Sequence, residues 1–156
     1  MRLTICAVGR LRCGPERDLY NDYAKRLDRA GRALSLGPLD LREVEDNKGG
    51  GMPAEAALLD KSIPDNAVLW TLDERGSLLS SPEFSHKICA LRDDGASDLA
   101  FVIGGADGID ADLRARAQVS VSFGKMVWPH MLVRVMLAEQ LYRAVGIAAG
   151  TPYHRV

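Results

Sequence analysis

Three short segments hold residues whose types and spacing suit chemistry. The first, FVIGGADGID (101–110), runs an apolar strand pattern straight into Gly104 and Gly105. Glycines after a strand let the backbone turn tightly and let a ligand touch the main chain. The order G-G-x-x-G departs from the G-x-G-x-x-G dinucleotide fingerprint, so a ligand loop and a plain tight turn both fit it. Asp107 reads as a cap for a helix that Gly108 opens. The second segment, FGKMVWPH (123–130), places Met126, Val127 and Trp128 in a short loop. Flat apolar walls with nearby backbone groups suit a nucleobase, while simple burial against core or partner is the alternative. The third is the end of the chain, Tyr153, His154 and Arg155. An aromatic, an imidazole and a guanidinium together can stack on a base and contact phosphate, although chain ends are commonly frayed and idle.

The elements that must position these segments alternate between strand and helix. Leu3 to Val8 is an apolar strand closed by Gly9, and Pro15 to Ala30 carries helical spacing with Leu19, Tyr20, Tyr23, Leu27 and Ala30 on one face. Leu34 to Val44 reads as a weaker extended segment broken at Gly37-Pro38. Asn47 to Met52 reads as a loop, and Pro53 opens a short helix that stops before Pro64. Asn66 to Leu72 is a second strong strand, followed by a turn over Asp73 to Gly76. A helix starts at Ser81-Pro82-Glu83 and runs towards Gly95. Leu99 to Ile103 is a buried strand, a helix runs to about Ala117, and Val119 to Phe123 is another strand. The last helix, from about Pro129 to Gly146, is apolar on nearly every face, which predicts burial all round. Within it Glu139 and Arg143 are spaced to pair, and Arg134 and Arg143 either face RNA or are solvated or paired internally. Continuous apolar strands between amphipathic helices predict an α/β fold with a mostly parallel sheet covered on both faces. Ligands in such sheets sit beyond the carboxyl ends of the strands. Those ends lie at Leu72, Gly104 and Phe123.

Bulk properties exclude several classes. The chain has 156 residues and is expected to be a single domain spanning 1–156. Twenty basic against 21 acidic residues give a net charge of −1, so affinity for free nucleic acid through charge alone is not expected. Cys6, Cys13 and Cys89 match no zinc spacing and are expected to be free thiols in a reducing compartment, with no metal bound. The first apolar run is too short for a signal peptide, and no stretch approaches the roughly 20 residues needed to span a bilayer. A soluble, cytoplasmic protein is expected.

Together, the opening MRLTICAVGRL, the stretch TLDERG, FVIGGADG, FGKMVWPHMLVRVMLAEQLYRA and the terminal PYHRV resemble the SPOUT class of methyltransferases. Within that class they are most similar to the ribosomal RNA large-subunit methyltransferase H family, and the likeness spans nearly the whole chain. The resemblance implies a deep trefoil knot in the C-terminal half, a homodimer, and S-adenosylmethionine as methyl donor. It implies methylation of N3 of a pseudouridine in large-subunit ribosomal RNA within the assembled ribosome. The donor site it implies is built by Leu72, Gly104 and Phe123, Gly124, Lys125, Met126, Val127 and Trp128. His154 is the candidate base in the tail, with Arg155 or Arg143 fixing a phosphate or a base oxygen. A catalytically silent dimeric RNA-binding or ribosome-associated module is the alternative. A Rossmann-like oxidoreductase would need an acidic residue for the ribose about 20 residues past the glycine loop, and 124–130 offers none.

Overall fold

Apolar side chains alternate between two faces along each inner strand, and this builds the molecule in three layers. A computed structural model describes residues 1–153; His154, Arg155 and Val156 lie outside the described residues. In chain order the elements are β1 (Arg2–Val8), α1 (Pro15–Gly31), a 3₁₀ turn (Arg32–Leu34), β2 (Leu39–Val44), α2 (Gly51–Ser62), β3 (Val68–Leu78), α3 (Ser81–Asp93), β4 (Asp98–Ile103), α4 (Ala111–Ala115), β5 (Val119–Ser122) and α5 (His130–Ala148). The strands form one sheet in the order β2-β1-β4-β3-β5, and every neighbouring pair is parallel.

β4 lies at the centre and is buried along its whole length. Leu99, Phe101 and Ile103 pack with Leu3, Ile5, Ala7 and Trp70 on one face, against side chains of α1, α3 and α5. Ala100 and Val102 point the other way and pack with Cys6, Val8, Leu69, Leu59 of α2 and Leu113 of α4. Trp70 sits edge-on to both Phe84 and Phe101, with centroids 5.8 and 5.7 Å away. Burying each such side chain contributes roughly 1.5–3 kcal/mol.

The helix ends follow local chemistry. Pro15 begins α1, and Ser80 caps α3 through a box with Glu83, whose carboxylate accepts the Ser80 N–H at 2.8 Å. Gly31 stays helical at φ −74°, and its missing side chain makes room for the Leu36 carbonyl. On α1 Tyr20 and Leu27 are buried as expected, but Leu19 is 46% exposed.

Several boundaries differ from the sequence reading. Residues 73–76 are no turn: β3 continues to Leu78, with a bulge between Leu72 and Ser77 where its register against β5 shifts. α2 begins at Gly51, two residues before Pro53. Gly108 does not open a helix, and Asp107 caps none. α4 starts only at Ala111, and Asp110 accepts from the N–H groups of Asp112 and Leu113 at 2.9 and 3.4 Å. The last helix is buried or half-buried along most of its length and packs on α1 and α3. Arg134 faces no solvent at all. It is fully buried, bonded to Glu43 at 3.0 Å and to the Val8 carbonyl, and so ties α5 to the carboxyl ends of β1 and β2.

Candidate active site

The carboxyl ends of β3, β4 and β5 open into one cleft of about 360 Å³. Its lining includes Leu72 from β3, Gly104, Ala106, Asp107 and Gly108 from the loop after β4, and Phe123, Gly124, Met126, Val127 and Trp128 from the loop after β5. These are the three strand ends singled out in the sequence. Lys125 is exposed and does not line the cleft, although both its neighbours do.

Each wall has a local cause. After β4 the chain closes a tight turn in which Gly108 N–H donates to the Gly105 carbonyl at 3.1 Å, with Gly108 at φ +87°. A Cβ on Gly104 would lie 2.2 Å from the Gly108 oxygen, so only glycine permits this turn. Glu55 of α2 sits behind the loop, and a Cβ on Gly105 would meet its carboxylate at 2.6 Å. Burial and the nearby Asp107 and Asp46 raise the Glu55 carboxyl above its ordinary range. After β5, Gly124 takes φ +115° and leaves its backbone open. Met126 and Val127 are 71% and 86% exposed, so the loop offers its apolar surface outward instead of burying it in the core.

The β3 bulge forms the third wall and contributes residues that sequence reasoning missed: Asp73, Glu74 and Arg75. Asp73 is buried, accepts the Arg75 N–H and Nε–H at 2.9 Å each and Nη2–H at 3.0 Å, and reaches Arg114 Nη1 at 3.3 Å. These bonds, led by the one from the Arg75 side chain, push the Asp73 carboxyl down to about 2. Ser122, also missed, latches two walls together. Its hydroxyl accepts the Gly124 N–H at 3.2 Å and lies 3.1 Å from the carbonyls of Glu74 and Gly124, one of which takes its proton. The available signal was the spacing Asp-x-Arg in TLDERG, which puts both side chains on one side of an extended chain.

A second cavity of about 520 Å³ shares Val121, Ser122, Phe123 and Gly124 with the first and is otherwise lined by residues including Leu19, Tyr23, Leu78, Glu139 and Gln140. Arg143 lines neither cavity. It pairs with Glu139 as its spacing suggested, through Nε at 3.0 Å and Nη2 at 2.6 Å. Tyr153, the last described residue, bonds the same carboxylate at 3.1 Å and packs on Tyr142 with centroids 4.5 Å apart. His154 and Arg155, the other tail candidates, lie outside the described residues.

A family model described as "Predicted SPOUT methyltransferase" matches residues 1–154. The chain belongs to the SPOUT methyltransferase family. A protein of Ruegeria pomeroyi named "Ribosomal RNA large subunit methyltransferase H" is 67% identical over 156 residues, covering all of both chains. A protein of the same name from Dinoroseobacter shibae is 65% identical over the same span. Among solved structures, a probable methylase family protein from Haemophilus influenzae matches with a TM-score of 0.56 at 13% identity, covering 99% of this chain and 70% of that one. That last likeness speaks to the fold.

SPOUT methyltransferases take their methyl group from S-adenosylmethionine. The cleft of this SPOUT chain suits that molecule in size and lining. Its volume of about 360 Å³ lies within the ~300–1,000 Å³ usual for small-molecule sites. Leu72, Ile109, Val133 and Trp128 supply apolar surface, and the turns at Gly104 and Gly124 present backbone without side chains in the way. Among the described residues, no group of His, Cys, Asp or Glu is placed to hold a metal ion, and no helix is long and apolar enough to cross a membrane.

Proposed function

We propose that the chain methylates N3 of a pseudouridine in large-subunit ribosomal RNA, using S-adenosylmethionine held by Leu72, Gly104 and residues 123–128. It acts on the assembled ribosome, in the cytoplasm, as a homodimer, and residues 1–156 form one domain with a deep trefoil knot in the C-terminal half. The observation that carries this reading is the convergence of three separate strand ends on a single cleft. The names of the full-length relatives support the RNA class. The groove beside the cleft supports the dimer: Leu19 and Leu78 line it and are 46% and 65% exposed, as apolar residues awaiting a partner would be.

When bound, the donor supplies a methyl group on an already activated leaving group, so the protein's main task is positioning. The loop turns at Gly104 and Gly124 would hold the nucleoside, and Met126 and Trp128 would shield it from water. N3 of the base must give up its proton, and His154 is proposed to accept it. Arg155 or Arg143 fixes a phosphate or base oxygen. Arg143 spends Nε and Nη2 on Glu139, which leaves Nη1 for that contact. The test is mass spectrometry of large-subunit ribosomal RNA from cells with and without the gene. One methyl group on a pseudouridine should vanish with the gene and return with wild-type protein. An unchanged modification pattern would refute the proposal and favour a silent RNA-binding module.

A further inference from the structure

The charged residues lining the cleft are Asp73, Glu74, Arg75 and Asp107, and Arg75 is the one cation among the described residues that line it. Adenosine carries no formal charge. The amino-acid end of S-adenosylmethionine carries a carboxylate and an ammonium, beside a sulfonium. Resting on the donor reading above, we propose that Arg75, presented by the β3 bulge, receives the carboxylate of the donor's amino-acid end.

The bulge holds Arg75 in place before any ligand arrives. Gly76 lies flat on β5, where a Cβ would come within 2.7 Å of the Val121 carbonyl carbon. The Ser122 hydroxyl, on the same strand, sits 3.1 Å from the Glu74 carbonyl. Asp73 grips the arginine along one edge, taking Nε–H at 2.9 Å and Nη2–H at 3.0 Å. A guanidinium has five N–H donors in a fixed fork. Two are spent on Asp73, and Nη1 makes no hydrogen bond among the described residues. The Nη1/Nη2 edge therefore stays free for a second carboxylate, in the two-pronged geometry arginine favours.

An ordinary surface ion pair would place both partners in water. Here the Asp73 side chain is 4% exposed and the Arg75 side chain 64% exposed. Asp73 thus fixes the Arg75 guanidinium at the cleft while leaving it open to a ligand. Glu74 and Asp107, on the same lining, suit the ammonium and the sulfonium of the same molecule.

Calorimetric titration tests this with wild type, R75M and R75K against three ligands. These are S-adenosylmethionine, S-adenosylhomocysteine and 5′-methylthioadenosine, which keeps the nucleoside and the thioether but lacks the amino acid. R75M should weaken the first two about tenfold, the effect of losing one charge-assisted contact, and leave methylthioadenosine within about twofold. R75K should recover part of the loss. Three results would overturn the inference: R75M binding all three like wild type, equal weakening of all three, or intact donor binding with a raised KM for the ribosomal substrate. The last would assign Arg75 to an RNA phosphate. Wild type that takes up none of the three would overturn the donor reading itself.

Discussion

Gly104→Ala puts the geometry of the cleft under direct strain. The added Cβ would lie 2.2 Å from the Gly108 oxygen, 2.5 Å from the Gly108 carbonyl carbon and 2.9 Å from Ile109 Cγ1. Comfortable contact begins at about 3.5 Å, so the turn must open by roughly 1 Å. Forcing a methyl group into a filled space costs about 1–3 kcal/mol. For a chain of this length that is a fall in Tm of roughly 2–12 °C. Gly104, Gly108 and Ile109 all line the cleft, so the same opening displaces one of its walls. Donor affinity should drop about tenfold, the equivalent of roughly 1.4 kcal/mol of lost contacts. Gly108→Ala is the control. It meets no atom within 4 Å and suffers only the strain of φ +87°, about 1–2 kcal/mol. Thermal melts and calorimetry with S-adenosylmethionine, run on both variants, provide the comparison. Gly104→Ala melting and binding like wild type would refute the claim that this turn shapes the site.

Three further outcomes follow from the buried charges and thiols. Arg134→Met takes from the Val8 carbonyl its side-chain donor and from the Glu43 carboxylate its charged partner, leaving Glu43 the Leu11 N–H at 2.6 Å. It should cost about 3–5 kcal/mol in urea unfolding, and adding Glu43→Gln should cost less than the sum of the two single changes; strict additivity would refute the coupling. Asp73 has a folded pKa of about 2 against ~3.9 unfolded. Its contribution is therefore present above about pH 4 and lost as pH falls through 2. With Arg75 largely in solvent the effect is about 1–2 kcal/mol, and Asp73→Asn should flatten the urea-midpoint profile across that window. Cys13 is exposed, whereas Cys6 is buried with its thiol pushed up by that burial. A thiol reagent should show a fast phase that Cys13→Ser removes, and a fast phase surviving that change would contradict the assignment.

The strands were legible because their chemistry is local. Leu99–Ile103 is apolar throughout and Leu3–Val8 is broken only by Thr4, and such runs between amphipathic helices have few uses other than a covered parallel sheet. The cleft was legible because Leu72, Gly104 and Phe123 stand at the ends of three strand-like segments, and ligands in such sheets sit beyond the carboxyl ends of the strands. What escaped depended on partners far away in sequence. TLDERG looks like a turn because it is charged and ends in glycine, yet pairing with β5 extends the strand across a bulge. Arg134 reads like any helical arginine, and only the carboxyl ends of β1 and β2, 126 and 91 residues away, give it a buried role. Asp107 has the side chain of a cap, but Ile109 is drawn into the core, so the helix starts later and Asp110 takes the role.

Hydrogen exchange with and without S-adenosylmethionine tests the central claim most directly. Bound donor should slow exchange at residues 72–76, 104–109 and 123–128 together and leave Leu19 and Tyr23 of α1 and Glu139 and Gln140 of α5, which line only the neighbouring groove, unchanged. No protection at any of the three segments, or protection confined to those α1 and α5 residues, would contradict a donor site at the carboxyl ends of β3, β4 and β5.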